Sequence, residues 1–172
     1  TAQEICIRDF AWLDLPSYGS LWHYLARHDL VGRVVWSRAP LDDPAADVFV
    51  EPRLLHSQDL EGSWWRVVDV QTALEQRGYD VEGSLVLAIT EDELAPWNNG
   101  RWRLDVGPDG AGVQATDAPA DIELSVRALS SLYSGHRSAR HLANAGLLAG
   151  EALTVANLDR MMRTRFAPHC PD

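Results

Sequence analysis

Six histidines, two cysteines and seven tryptophans, with 25 carboxylates, are the residues of this 172-residue chain that could ligate a metal, move a proton or stack on a ligand. The histidines come in suggestive pairs, His23 with His28 and His136 with His141. A five-residue step on a helix turns a side chain by about 140°, so neither pair aims at one metal. His169 and Cys170 are adjacent, but the spacing offers no third ligand, and surface or packing roles are the expectation for the histidines. The run GPDGAG (107–112) superficially resembles a phosphate-cradling loop. Such a loop leads from a strand into a helix, whereas VQAT continues as strand, so the sequence predicts a hairpin turn. There is no G-x-S-x-G nucleophile elbow, and neither cysteine sits in an activating context.

Every basic residue is arginine, 15 in all, and the absence of lysine removes a P-loop, a pyridoxal Schiff base and any lysine nucleophile. The formal charge of −10 argues against nucleic acid or an anionic membrane as partner and favours a cationic ligand. Asp42-Asp43 and Gln58-Asp59 fall in loop sequence, where solvated acids are the ordinary reading. Most of the tryptophans read as core. Trp64-Trp65 differs, because consecutive residues of a strand face opposite ways. One of the two can serve the core while the other faces a neighbouring domain or a ligand. Cys6 and Cys170, at opposite ends of the chain, read as free thiols.

The elements that must position these residues follow from pattern. EICIRDF (4–10) and VGRVVWSRA (31–39) read as strands flanking a helix over 16–29, with Pro16 in its first turn and Leu21, Trp22, Leu25 and Leu30 as its apolar stripe. The proline- and acid-rich stretch that follows predicts little regular structure. WWRVVDV (64–70) reads as a strand and DVQTALEQRGY as a short helix through Arg77, capped by Asp69 and stopped near Gly78. Strands at 83–92 and 101–106, a hairpin over 101–116 and a strand at 121–125 precede helices at 126–134, 138–145 and 151–164. In the last of these Leu153, Leu158 and Met161-Met162 point inward. Strands first and helices later is an α+β order. The natural break lies near residue 60: before it is a β–α–β piece with no way to close its own core, and after it a unit of ordinary domain size. The apolar stretch SLVLAI (84–89) is far short of the roughly 20 residues a membrane helix needs, and the mean hydropathy is −0.20.

The strings LWHYLARHDLVGRVVW…PLDDP (21–44), WWRVVDVQTALEQRGY (64–79) and ADIELSVRALSSLYSG (120–135), with FAPHC near the end, resemble the Eis (enhanced intracellular survival) family of actinobacterial N-acetyltransferases. The resemblance covers nearly the whole chain. It implies that residues 1–60 are the back half of a degenerate second GNAT-like domain. Residues 61–172 are then a sterol-carrier-protein-like domain with an antiparallel sheet and C-terminal helices.

The resemblance also implies function. Family members transfer acetyl from acetyl-CoA to amines of aminoglycoside, polyamine or lysine type. The acetyl-CoA loop and the catalytic tyrosine of the family's first domain have no counterpart in this sequence. The expectation is therefore either a piece of a longer protein or a chain whose remainder is a separate chain; alone it binds no acetyl-CoA, and its partner is an upstream GNAT domain. The family's terminal carboxylate acts as a base, which assigns that role to Asp172 only if it is the true end. Gln58, Asp59 and Trp64 are the candidate residues for a cationic amine at an acidic 56–66 seam. A homo-oligomer, hexameric by resemblance, in the cytoplasm is expected, with no metal, no nucleic acid and no membrane partner. No signal peptide is visible, although secretion stays open. Two other readings stand beside this one: a free-standing sterol-carrier-type lipid-binding module and a purely structural oligomerisation unit.

Overall fold

Asp14 starts the first helix by reciprocal capping: its carboxylate accepts from the Ser17 N–H at 2.8 Å, and the Ser17 hydroxyl accepts from the Asp14 N–H at 3.2 Å. Pro16 costs nothing in that first turn, where its missing N–H would have no partner. The computed structural model describes residues 3–169. Helix α1 (Leu15–Ala26) connects strands β1 (Gln3–Ile7) and β2 (Val31–Trp36), which pair in parallel. The register sets Ile5 beside Val34 and Ile7 beside Trp36, so one face of the pair is apolar. Phe10 gathers the aromatic residues of this region, with Trp22 and Trp36 at ring distances of 5.2 and 5.1 Å.

The helix ends at Ala26, earlier than the sequence predicts. Leu30 leaves the expected apolar stripe altogether: it is exposed and takes a left-handed φ of 69° at the turn into β2. The region expected to lack regular structure contains one helical turn, α2 (Ala45–Val48), and a 3-10 turn at Pro52–Leu54. Pro44 and Pro52 set the φ with which each turn begins.

The chain divides into two compact units, one running to Asp59 and including His169, the other Leu60–Pro168. The second unit is built on a five-stranded sheet with the order β5-β4-β3-β6-β7. Its strands are β3 (Gly83–Thr90), β4 (Gly100–Gly107), β5 (Gly110–Ala115), β6 (Ile122–Ser125) and β7 (Leu148–Gly150). The β4–β5 hairpin turns at the GPDG tetrapeptide, with Gly110 at a φ of 128°. The sheet is antiparallel except where β6 returns beside β3 in parallel. Strand β7 is an addition to the sequence reading; three residues are too few to give an alternating pattern.

Alternation aligns Leu85 with Leu104, Leu87 with both Trp102 and Ile122, and Ile89 with Leu124. These positions face four helices: α3 (Val70–Gln76), α4 (Val126–Tyr133), α5 (Ala139–Asn144) and α6 (Ala152–Met161). Leu74, Leu129, Leu132, Leu142, Leu158 and Met162 complete the same buried cluster. Leu153, expected inward, is exposed on the first turn of α6.

Residues 64–68 form no strand. Their backbone is satisfied by side chains instead of a ladder. The Val67 N–H donates to Ser130 Oγ at 2.9 Å, and the Val68 carbonyl accepts from Trp97 Nε1 and Asn98 Nδ2, both at 3.0 Å. Helix α3 then begins where expected, with Asp69 Oδ1 accepting from the Thr72 N–H at 2.8 Å. It stops one residue short of the expected end, because Arg77 is extended and its guanidinium donates to the carbonyls of Met161 and Met162. Asp69→Ala is expected to lower stability by about 1 kcal/mol in urea unfolding, the usual cost of a lost helix cap. An unchanged midpoint would show that the Thr72 bond contributes nothing net.

Candidate functional site

Gln58 and Asp59 close the first unit as exposed, irregular chain, and neither has a hydrogen-bond or ion-pair partner among the described residues. Their polar groups are thus fully available to a ligand or to water. Trp64 belongs to the second unit and is 84% exposed. Trp65, beside it, meets the Tyr133 ring edge-on at 6.0 Å. Asp172 and Cys170 lie outside the described residues, and Cys6 is exposed on β1.

The chain segment that carries Trp64 is anchored by a polar network the sequence reading missed. Asp92 is 1% exposed, yet every group it offers is bonded. Its carboxylate accepts from Arg66, from Asn98 Nδ2 at 2.8 Å and from the Ala95 N–H at 2.8 Å. Its backbone N–H and carbonyl both bond the Asn99 amide, at 2.9 and 3.0 Å. Asn98 then passes the connection on, its Oδ1 accepting from the Val70 N–H at 2.9 Å. Glu91, just before, holds a left-handed φ of 60°, a conformation that costs free energy outside glycine and must be offset by these bonds. Burial alone would raise the Asp92 carboxyl; the hydrogen bonds from Arg66, Asn98 and Ala95 outweigh it and hold the group below the usual carboxylate range.

A signal for Asp92 was present in the string DELAPWNN: an Asx turn reaching the N–H three residues on, followed by proline and paired asparagines. For Arg66 there was none, because arginine two places after an aromatic pair has no local meaning.

The tryptophan expectation fails for a related reason. None of the seven is fully buried: Trp64, Trp65 and Trp97 are exposed, and the other four are half-buried. Trp97 and Trp102 spend their N–H groups on the Val68 and Asn98 carbonyls, so they act as hydrogen-bonded braces. Asp43 likewise departs from the solvated-loop reading. Its Oδ1 accepts from the Tyr18 hydroxyl at 2.7 Å and from the Ala45 N–H at 3.0 Å. Burial, followed by the Asp43 bond, raises the Tyr18 phenol far above its ordinary range, so Tyr18 stays a donor and cannot serve as a base.

No cluster of three or more histidine, cysteine or acidic side chains able to hold a metal ion occurs among the described residues. The N-termini of α1, α3 and α5 are already taken by side chains. Asp14 and Asp69 already occupy two of them, and the first N–H groups of α5 bond Ser138 and Asp159. A bound carboxylate repels a second anion where an empty terminus would attract it. The hairpin tip at 107–112 borders an open cleft of about 660 Å³, lined also by Glu82, Asp105 and Asp109. Its charge is wrong for phosphate too. No described helix is long and apolar enough to cross a membrane.

Because Asp92 binds its proton less tightly folded than unfolded, its contribution is complete above about pH 4, the unfolded value, and is lost as the pH falls through the lower folded value. Acid titration of unfolding is expected to show this loss, and Asp92→Asn to flatten it. Arg66→Ala leaves the carboxylate buried without its charge partner and is expected to cost about 3 kcal/mol in denaturant unfolding.

Comparison with known proteins places the two units in known families. A profile described as a sterol carrier protein domain matches residues 70–171, and one described as an acetyltransferase (GNAT) domain matches residues 1–67. An N-acetyltransferase of Streptomyces avermitilis is 39% identical over 158 residues, covering 89% of this chain and 37% of the relative. The N-acetyltransferase Eis of Mycobacterium tuberculosis is 34% identical over 156 residues, covering 88% of this chain and 36% of the relative. Among solved structures, Eis1 from Mycobacterium abscessus matches 100% of this chain and 43% of its own at 28% identity, with a TM-score of 0.81. A GCN5-related N-acetyltransferase from Anabaena variabilis matches 95% of this chain and 42% of its own at 26% identity, with a TM-score of 0.74. The chain thus spans well under half the length of these relatives.

Proposed function

The chain belongs to the sterol carrier protein domain family and is Eis-like along its length, and from that premise we propose that it is the C-terminal portion of an amine N-acetyltransferase. The observation that carries this reading is the incompleteness of the first unit. Among the described residues its sheet has two strands, β1 and β2, and they are parallel. Parallel pairs are stable when covered on both faces within a larger sheet, and an isolated pair of strands is marginal. Of the described apolar residues in this unit only Ile7 and Tyr18 are buried, while Leu13, Leu15, Leu41, Val50 and Leu54 are exposed. Such a unit requires further strands and helices, and a GNAT domain supplies them in kind.

In this reading acetyl-CoA supplies the acetyl group, bound by a GNAT domain outside these residues. This chain contributes to the amine side. Gln58 offers an acceptor, Asp59 a full charge and Trp64 an aromatic face, three features that suit an alkylammonium. A terminal carboxylate, on Asp172 or on a residue beyond it, would act as the base in the manner the family resemblance implies. Residues 1–60 and 61–172 are then the second GNAT-like half and the sterol-carrier-like domain, assembled as a homo-oligomer in the cytoplasm. The lipid-binding alternative gains nothing from the core, whose buried side chains pack against one another.

Two experiments test the proposal. Calorimetry of this chain with acetyl-CoA is expected to give no measurable heat of binding; micromolar affinity would move the cofactor site into these residues. In the full-length enzyme, Asp59→Asn is expected to raise KM for spermidine and weaken its salt dependence, and Trp64→Phe to raise KM alone. Unchanged kinetics in both would assign these residues to packing and solvent.

A further inference from the structure

The chain is acidic overall, but its charge is unevenly spread. Residues 1–125 carry nine arginines against 22 carboxylates, whereas residues 126–172 carry six arginines against three. One of those three, Asp159, is engaged by the first N–H groups of α5, at Ala139 and Arg140. The side chains of Arg137 and Arg140 flank the start of α5 and are exposed. Thr164, next to the exposed Arg163, lies where a Cβ at Gly135 would stand, so a further arginine borders the same turn. None of Arg137, Arg140 and Arg163 has an ion-pair partner among the described residues. Partial desolvation, then Arg137 and His141, hold the His136 imidazole below its ordinary range, as crowded positive charge does.

The complementary charge lies on the other side of the same unit. Alternation places Leu104 and Val106 in the core beneath the helices, so Asp105 projects from the opposite face of the sheet. Its cross-strand neighbours there are Ser84 and Gly112, too small to cover it. With Glu82 and Asp109 it lines the open cleft at the hairpin tip, and none of these three acids has an ion-pair partner among the described residues. The arginines belong to the helical layer and Asp105 to the far face of the sheet, so one copy does not join them. Two copies stacked in the same sense do, and complementary potentials of this kind steer association.

We propose that the α4–α5 connection, with Arg137 and Arg140, docks into the acidic hairpin cleft of a second copy of this chain, so that copies associate front to back. The proposal rests on the reading of the chain as a homo-oligomer and says which surfaces make it. Each copy presents both halves of the contact, so the interface is heterologous, closing into a ring or continuing as a filament according to the rotation between copies. Leu147 and Leu153, exposed in the same layer as the arginines, add apolar area that charge alone does not supply.

Sedimentation velocity of the chain at about 50 and about 500 mM NaCl tests this, together with two charge reversals. One is Arg137→Glu with Arg140→Glu on the turn; the other is Glu82→Arg with Asp105→Arg in the cleft. The parent is expected to self-associate at the lower salt and about tenfold more weakly at the higher. Each reversal alone is expected to leave the chain monomeric. An equimolar mixture of the two is expected to associate again, because each supplies the surface the other has lost. If a reversal prevents folding, Arg137→Gln with Arg140→Gln and Asp105→Asn replace it, each expected to weaken association and its salt dependence. Association that survives both reversals assigns the interface to other surfaces and overturns the proposal. Loss in both without recovery on mixing also overturns it, since turn and cleft would then not be partners. Capture of a monomeric parent by phosphatidylglycerol vesicles, abolished by Arg137→Glu with Arg140→Glu, would give the basic face to a lipid surface and overturn it equally. A parent that stays monomeric at the lower salt without such capture removes the homo-oligomer reading for this chain, and the proposal falls with its premise for that separate reason.

Discussion

The second unit depends on a single buried anion. Asp92 is the node through which the segment before α3, the loop after β3 and the start of β4 are tied together: Arg66 and the Asn98 amide converge on its carboxylate, and Asn98 reaches the first N–H of α3. Asn98, held by Asp92, in turn shares the Val68 carbonyl with Trp97, while Ser130 takes the buried Val67 N–H; a buried backbone group left unpaired costs about 1–3 kcal/mol. A sixth strand would solve the same problem with a ladder. The side-chain solution holds the backbone at Val67 and Val68 and leaves Trp64 exposed.

The two units solve stability in different ways. The second has a continuous apolar cluster between sheet and helices, with Arg77 closing it by capping the last turn of α6 and lying over the Tyr79 and Tyr133 rings. Burial raises the Tyr79 phenol to about 12, so it stays neutral beneath that guanidinium. The first unit has aromatic contacts in place of a core. Edge-on and tilted rings around Phe10 and Tyr18 supply specificity of packing, but their summed burial is far below what a unit of this length needs. Such a region makes sense as one part of a larger sheet, which is also what its match to a GNAT profile implies.

Much of this architecture was legible in residue pattern. Strands β1 to β6 and helices α1, α3, α4, α5 and α6 carry periodicity, caps and turn glycines that local rules recognise, and the long motifs around 21–44 and 64–79 carried the family. The losses share a cause. WWRVVDV has the composition of a strand, but composition does not say whether a partner edge exists, and here Ser130, Trp97 and Asn98 take the partner's place. Tryptophan is large and apolar, so it reads as core. In the sequence Trp97 and Trp102, whose N–H groups brace carbonyls, were not distinguishable from the tryptophans that stack, because bracing depends on which carbonyl lies nearby after folding. Arg66 and Asp92 stand 26 positions apart in the sequence, and no local rule connects them. As for Gln58, Asp59 and Trp64, residue type alone suggested them, and exposure is what the structure adds.

Whether an exposed aromatic adds to affinity is a matter of magnitudes. A cation over an indole contributes about 0.5–1 kcal/mol at an exposed site and about 2 when water is excluded. Immobilising one side chain on binding costs about 0.5–1.5 kcal/mol. A loosely hung tryptophan would therefore return little of what it gains from an alkylammonium, and its contribution would be close to nothing. Trp64 is 84% exposed, so its side-chain torsions would still have to be ordered when a cation binds. The net charge of −10 acts at longer range, where it raises the local concentration of any cation without specifying where it docks. Attraction at a distance comes from the many carboxylates on the surface, whereas placement requires one rigid aromatic face.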